Sequence, residues 1–192
     1  MDPINIIVGL NIIASFGANI AGAKKGFKAK LSSVREKPVT YLQRLPVLLS
    51  TFTLIGLIIA VFQIGTFEYN SDYNLIRYIG LSLYLIFSWL QIWALKSLGE
   101  NYSQDILIKK NHDLITKGPF TVIRHPQYVS QILIDLGGAA ATLSFIVAPI
   151  ALVQIPFIIL RASVEDKLLA KHFSDQFLSY KRKTGFIIPF IG

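Results

Sequence analysis

The stretch Gly118–Tyr128 reads GPFTVIRHPQY and lies between two very apolar parts of the chain. Pro119 and Pro126 each lack a backbone N–H and push the preceding residue out of the helical region, so a long helix is not expected here. A non-helical polar segment beside membrane spans must lie in water or line a protein cavity. The stretch is therefore either a site or an interfacial linker whose Arg124 and His125 contact lipid headgroups.

The composition is that of a membrane protein of one domain. Hydrophobic residues make up 53% of the 192 residues and charged residues 16%, below the roughly 25% of a soluble domain. No cysteine is present, which excludes disulfides and cysteine-ligated metal. The net charge of +8 is confined to loops, so we expect anionic lipid headgroups as the partner and no nucleic acid.

Four apolar stretches predict the membrane spans: Ile4–Ala23, Leu45–Gly65, Leu75–Leu95 and Tyr128–Arg161. Each of the first three has the length of one membrane-crossing helix, about 20 residues. The fourth would run roughly 50 Å as one helix, well beyond a hydrocarbon core of about 30 Å. We therefore expect two helices there, the second opened by Pro149. The prediction is an all-α integral membrane protein with about five transmembrane helices, the last two forming a hairpin.

The cations predict how the chain lies in the membrane. Lys and Arg number seven in 24–44, five in 96–127 and six from 161 onward, and Arg77 is the only one left of 19. Arg77 lies near the start of the third span, where a long side chain can reach the interface. Because cytoplasmic loops carry the excess of Lys and Arg, the N-terminus is predicted outside. The C-terminus and the stretch Gly118–Tyr128 are predicted in the cytoplasm.

A hairpin after Tyr128 returns the chain to the membrane face that it left. It therefore allows Arg124, His125 and Tyr128 to meet a second polar cluster that contains Arg161 and Glu165. These two residues are four apart and lie on one helical face. The simpler interpretation of Arg161 and Glu165 is an interfacial ion pair worth only a few tenths of a kcal/mol. Residues 106–111 also predict a short strand and turn.

Together, several motifs in the second half of the chain resemble the isoprenylcysteine carboxyl methyltransferase family. They are HDLI at 112–115, GPF at 118–120, RHPQY at 124–128, Arg161 with Glu165 and Asp166, Phe173, Phe177, Tyr180 and Pro189. The resemblance implies an integral membrane enzyme that uses S-adenosylmethionine to methylate the carboxylate of a prenylated cysteine, releasing S-adenosylhomocysteine. It implies one domain over 1–192, with three spans in 1–95 and a catalytic region with two further spans in 96–192.

The resemblance also implies roles for individual residues. Arg161 is implied as the catalytic residue at the substrate, and Glu165 as a catalytic carboxylate on the cofactor. The other implied cofactor-binding residues are His112, Asp113, Leu114, Ile115, Phe120, His125, Pro126, Gln127 and Tyr128. The chain departs from the family pattern at Phe120 and Phe177, where tyrosine is usual, at Asp166, which replaces a glutamate, and at Ser130, often a glycine.

The chemistry of this reaction suits these residue types. A carboxylate nucleophile is already ionised at neutral pH, so no general base is needed. The site must supply position and a dry environment. Arg161 can orient the carboxylate by a forked pair of hydrogen bonds, and Glu165 can bind the ammonium of the cofactor. The three histidines lack a recognisable ligand spacing, and no metal is expected.

Three other interpretations remain open at this point. Sterol-reductase-type oxidoreductases that use NADPH share part of the tail motif, but their members are usually larger. A lipid-amine N-methyltransferase would use the same cofactor, although Arg161 would repel an amine. A non-catalytic membrane protein would use Arg161 and Glu165 only at the interface.

Overall fold

The computed structural model describes residues 2–29 and 34–192, and for 18–29 it describes the backbone alone. It contains five α-helices: α1 (Pro3–Ala29), α2 (Leu45–Val61), α3 (Asn74–Leu98), α4 (Pro126–Thr142) and α5 (Val147–Lys181). Two short strands, β1 (Val34–Glu36) and β2 (Ile108–Lys109), form an antiparallel pair. The predicted all-α architecture, with its last two helices as a hairpin, is confirmed.

The longest apolar helices have the dimensions of membrane spans. By length and composition, three helical segments of the described chain are able to cross a membrane: Tyr41–Val61, Ser71–Asn101 and Val147–Lys181. The apolar part of α1, Pro3–Gly17, is shorter, and α4 has 17 residues. Many large apolar side chains of these helices are exposed, including Phe52, Trp89 and Leu152, as lipid-facing surfaces require.

Helices α3 and α4 approach each other closely at glycines. A Cβ atom on Gly80 would lie 2.8 Å from the Gly137 carbonyl oxygen, and one on Gly137 would lie 2.8 Å from the Gly80 carbonyl oxygen. Gly138 faces Leu57 of α2 in the same way, at 3.0 Å. Small residues let membrane helices pack backbone against backbone. The contact fixes the start of α4 beside the end of α3, where the polar loops lie.

The second helix of the hairpin begins two residues before Pro149, the residue that was predicted to open it. Leu143 ends α4 in a left-handed conformation (φ 53°), and α5 begins at Val147. Pro149 is thus the third residue of α5 and does not open it. A proline is tolerated there because the N–H groups of the first turn have no partner within the helix.

The expectation for Arg77 also needs correction. Arg77 does not reach out to the interface: it is 3% exposed, and its Nε donates to the Ala141 carbonyl oxygen at 3.0 Å. The reason is Asp2, whose carboxylate accepts from the Arg77 guanidinium at 2.5 and 3.1 Å. The short strand and turn predicted within 106–111 are confirmed: β2 pairs with β1, with Val34 opposite Lys109 and Glu36 opposite Ile108, and the turn follows at 110–111.

Candidate active site

A cavity of about 460 Å³ lies at the end of the bundle where α2 and α4 begin and α3 ends. This volume is within the range of small-molecule sites, roughly 300–1,000 Å³. Nine of the residues predicted from the sequence line it: His112, Asp113, Leu114, Ile115, Phe120, Gln127, Tyr128, Arg161 and Glu165. The hairpin of α4 and α5 thus brings the two polar clusters into one space.

The tyrosine hydroxyl of Tyr128 connects the two charged residues of α5. Pro126 occupies the first turn of α4, so Tyr128 lies at the very start of that helix and reaches α5. Its hydroxyl donates to Glu165 Oε2 at 2.6 Å and accepts from Arg161 Nε at 3.0 Å. No direct Arg161–Glu165 ion pair occurs among the contacts of the described residues. The two charges are therefore bridged by a neutral group.

Arg161 is 5% exposed, and backbone carbonyl oxygens hold most of its guanidinium. Nη1 donates to the carbonyl oxygens of Leu42 at 2.8 Å and Gln43 at 3.2 Å, and Nη2 donates to that of Gln104. With the bond from Nε, four of its five N–H donors are used. A two-pronged contact with an acceptor carboxylate would have to displace one of these carbonyls. A single N–H remains for it as the structure stands.

A second layer of charges fixes the start of α4 to α5. Arg124 Nε donates to Asp166 Oδ2 at 3.0 Å, and His125 Nε2 lies 2.8 Å from Asp166 Oδ1. The His125 ring stacks on Tyr128, with 5.5 Å between ring centroids. His125 and Pro126 are buried and do not belong to the cavity lining described above. Their predicted contact with a cofactor stays a prediction, and in this structure His125 supports Tyr128.

One wall of the cavity carries a polar atom without a partner. His112 Nδ1 is buried and has no hydrogen-bond partner among the described residues. Burial lowers the pKa of His112, as does the positive charge of Lys109, while Glu165 and Asp113 act in the opposite direction. The imidazole is therefore neutral at neutral pH. A buried nitrogen with no partner is uncommon in proteins, and a hydrogen-bonding group of a bound molecule would satisfy it.

The sequence did not predict the part of the wall that comes from the loop after α3. Residues 101–105 line the cavity, and burial raises the pKa of the Tyr102 phenol. Lys109 holds this loop, because its Nζ donates to the carbonyl oxygens of Glu100 and Tyr102, the latter at 3.0 Å. No motif covers these residues. The available signal was Lys109, at the start of the turn predicted after the strand, a position that the structure buries.

The side of the cavity nearest the spans combines apolar and neutral polar side chains. Phe16, Pro46, Val47 and Ile158 come from three helices that pack around it. Ser50, Gln91 and Gln131 also line it, and Gln91 Nε2 donates to Gln131 Oε1 at 2.9 Å. Gln131 in turn donates to the buried Asp135 at 2.8 Å. Asp135 is the only charged residue between Tyr128 and Arg161, and no motif covers it.

Comparisons with known proteins agree with the motifs. The model of the "Isoprenylcysteine carboxyl methyltransferase (ICMT) family" matches residues 79–171. The protein-S-isoprenylcysteine O-methyltransferase of Saccharomyces cerevisiae is 29% identical over 65% of this chain and 54% of its own length. The cobalt-zinc-cadmium resistance protein CzcN of Cupriavidus metallidurans is 37% identical over 42% of this chain and 38% of its own. The chain spans 38–58% of the length of the curated relatives it matches.

A solved structure shares the fold over the whole chain. The structure of the eukaryotic intramembrane Ras methyltransferase ICMT has a TM-score of 0.62 and 19% sequence identity, and the match covers 100% of this chain and 69% of that one. The family match, the curated relatives and the fold all point to one assignment. Over residues 79–171 the chain is similar in sequence to the isoprenylcysteine carboxyl methyltransferase family, and it shares the fold of that solved structure.

Proposed function

We propose that this protein methylates the carboxylate of an isoprenylated cysteine, or of a similar lipid-linked acceptor, with S-adenosylmethionine as the methyl donor. The observation that carries the proposal is the single cavity that joins His112, Tyr128, Arg161 and Glu165. The similarity to the isoprenylcysteine carboxyl methyltransferase family supports the reaction class. The metal-resistance name of CzcN describes no methyl acceptor, so it does not favour another substrate.

The wall formed by the 112–128 segment is suited to the cofactor. His112 to Ile115, Phe120, Gln127, Tyr128 and Glu165 would hold it. In the tautomer with the proton on Nε2, His112 Nδ1 offers an unused acceptor. Glu165 uses Oε2 for Tyr128, which leaves Oε1 for an ammonium group. When bound, S-adenosylmethionine would supply a methyl group on a positively charged sulfur. Since the imidazole of His112 is neutral, this wall does not repel a cation.

Arg161 is suited to the anionic acceptor. Its guanidinium is buried, and its direct partners are three carbonyl oxygens and one hydroxyl, all neutral. Its charge therefore remains for an anion, and the last N–H can position one carboxylate oxygen. Burial also removes water from that oxygen. Methyl transfer between an anion and a cation gains from this, because the charges of the reactants cancel in the transition state.

The acceptor would reach the cavity from the bilayer. Phe16, Pro46, Val47 and Ile158 of the spans supply apolar contacts for a lipid chain. The polar loops 101–105 and 112–115 also line the cavity. The arrangement supports separate access, with a lipid acceptor from the membrane and a polar cofactor from the aqueous phase.

An assay with matched acceptors tests the proposed reaction. Purified protein in detergent is given S-adenosylmethionine with an S-prenylcysteine that has a free carboxylate, with the carboxamide of the same compound, and with an amine lipid. We expect methyl transfer to the carboxylate only. Transfer to the amine lipid alone would establish an N-methyltransferase instead. Thermal stabilisation by NADPH without stabilisation by S-adenosylhomocysteine would reject the methyltransferase proposal altogether.

We further propose that the site faces the cytoplasm and that the N-terminus lies outside. The support is the excess of Lys and Arg in the loops at the site end and the positive-inside rule. The chain has no native cysteine, so single cysteines report topology directly. Asn70→Cys should react with an impermeant thiol reagent in intact cells, and Asn111→Cys only after the membrane is opened. Labelling of Asn111→Cys in intact cells would reverse the orientation.

A further inference from the structure

The C-terminal segment Thr184–Gly192 returns to the level at which α4 begins. Helix α5 bends at Ser174, whose backbone is non-helical (φ 38°, ψ −113°). A straight helix would carry Lys181 roughly 30 Å beyond Arg161 at 1.5 Å per residue. Instead, the Tyr180 hydroxyl donates to the Phe120 carbonyl oxygen at 2.7 Å, and Ile123 forms an isolated bridge with Gly185.

Arg124 fixes this segment in place. Its backbone N–H donates to the Gly185 carbonyl oxygen at 2.8 Å. Its Nη1 donates to the carbonyl oxygens of Thr184 at 2.7 Å and Gly192 at 3.0 Å. Because α4 begins two residues after Arg124, and α4 is the apolar helix that leaves this face, the segment lies at the membrane boundary.

The surface of this segment combines exposed apolar and exposed basic side chains. Ile188, Phe190 and Ile191 are 59%, 74% and 62% exposed, on a tight turn in which the Ile191 N–H donates to the Ile188 carbonyl oxygen at 3.1 Å. Lys181 and Lys183 lie beside them. A surface cleft of about 470 Å³ is lined by Leu178, Lys181, Arg182, Lys183, Thr184, Phe190 and Gly192.

The cations of the cleft have no acidic partner within the described residues. The six ion pairs found there involve other cations, and no acidic residue lines the cleft. An exposed apolar cluster beside unpaired cations at the membrane boundary is complementary to an anionic lipid surface. Apolar side chains enter the boundary between headgroups and acyl chains, while Lys and Arg bind the headgroup phosphates.

We propose that Lys181–Gly192 is a docking surface for anionic phospholipid. Phe190 and its neighbours Ile188 and Ile191 insert at the headgroup boundary, and Lys181, Arg182 and Lys183 hold a phosphate-bearing headgroup in the cleft. The proposal does not depend on the methyltransferase activity.

A fluorescent label at Phe190 tests the proposal. Phe190→Cys, labelled with an environment-sensitive fluorophore, is placed in nanodiscs that contain a spin-labelled phospholipid as quencher. We expect blue-shifted emission, and stronger quenching by spin-labelled phosphatidylglycerol than by spin-labelled phosphatidylcholine. Each cation near the surface is expected to contribute about a fivefold preference for the anionic lipid. Label at Asn111→Cys, on an exposed loop of the same end, should stay water-like.

Two double variants with the same change in net charge distinguish a specific headgroup-binding site from a general effect of charge. Lys181→Glu/Lys183→Glu should abolish the preference for phosphatidylglycerol, and Lys110→Glu/Lys117→Glu, with the same change in net charge, should keep it. Water-like emission from Phe190→Cys that neither lipid quenches would overturn the proposal. A preference that survives in Lys181→Glu/Lys183→Glu, or that disappears equally in both variants, would overturn the headgroup site. Ile188→Cys provides a second labelling position for the same readings.

Discussion

Three arginines of the described residues are buried, and two of them, Arg77 and Arg161, lie at opposite ends of the helical bundle with different partners. Arg77 is 3% exposed and bonds the carboxylate of Asp2 with both Nη atoms. Arg161 is 5% exposed and bonds only carbonyl oxygens and the Tyr128 hydroxyl. Arg77 lies where α1, α3 and the end of α4 meet, and Arg161 lies in the wall of the cavity.

The difference separates a structural charge from a functional one. A buried charge in a membrane protein is expensive unless it is paired. At Arg77 the pairing is complete within the protein, and the Tyr69 ring covers the guanidinium at 4.0 Å. At Arg161 neutral acceptors orient the guanidinium without cancelling its charge, and Glu165 lies one hydroxyl away. The charge of Arg161 therefore remains available to bind an anionic ligand in the cavity.

The largest effect is expected from breaking the structural pair. Asp2→Ala leaves the guanidinium of Arg77 buried without a carboxylate, and removal of one partner of a buried pair costs about 3–5 kcal/mol. Asp2 also caps α1, because Oδ1 accepts from the Ile4 N–H at 3.0 Å. Thermal unfolding in detergent measures the loss. Asp2→Asn keeps an oxygen for the cap and should lose less.

If Arg77 is purely structural, Asp2→Ala should leave the candidate active site intact. At temperatures where Asp2→Ala is folded, its affinity for S-adenosylhomocysteine should equal that of the unchanged protein, because Asp2 lies at the other end of the bundle. A melting temperature equal to that of the unchanged protein would show that Arg77 does not need its carboxylate.

The second prediction concerns Arg161. Arg161→Ala should lower turnover by about 10²–10³-fold, the usual loss when one preorganised donor to a developing or reacting charge is removed. Arg161→Lys should also lose activity, though less, because an ammonium cannot hold the planar arrangement to Leu42, Gln43 and Gln104. Affinity for S-adenosylhomocysteine, measured by calorimetry on folded protein, should change little in both variants.

Other outcomes would assign Arg161 differently. Joint loss of cofactor affinity and thermal stability would make Arg161 a support for Glu165, acting through Tyr128. A fully active Arg161→Ala protein would place Arg161 in the same structural class as Arg77.

The third prediction sets Glu165 against another carboxylate at the same end. Glu165→Gln should weaken S-adenosylhomocysteine binding by about 10–100-fold, since a hydrogen bond to a charged group is worth roughly 1.5–3 kcal/mol. Glu36→Gln is the control: Glu36 accepts from Lys171 at 2.7 Å and lies 3.0 Å from His172 Nε2, outside the cavity. Equal affinities of the two variants would remove Glu165 from the cofactor site.

The partners of the two arginines also show what the sequence can predict. The lengths of the apolar stretches predicted the helices. Because a hairpin returns the chain to the membrane face that it left, the sequence also predicted that Tyr128 would meet Arg161 and Glu165, as their contacts now show. The acceptors of Arg161 were not predictable, because a backbone carbonyl leaves no mark in the residue pattern. Asp2 was not assigned to Arg77 because 75 positions separate the two in the chain.

The smallest expected effect comes from His112, whose unused Nδ1 lies in the cofactor wall. Burial, followed by the charge of Lys109, lowers its pKa below the ordinary 6.5. Since the unfolded chain binds this proton more readily, stability from His112 is complete above about pH 6.5 and falls as the pH drops towards the folded-state pKa. If the cofactor donates to Nδ1, its affinity decreases over the same range, because protonation removes the acceptor.

Titration of S-adenosylhomocysteine affinity and melting temperature between about pH 8 and about pH 5.5 measures this dependence. His112→Asn is the control, because its amide oxygen accepts a hydrogen bond and does not titrate in this range. We expect a shallower loss of affinity for His112→Asn below about pH 6.5. Identical pH profiles for the two proteins would mean that the cofactor does not use Nδ1. The unused Nδ1 would then be available to the acceptor instead, because His112 lines the same cavity as Arg161.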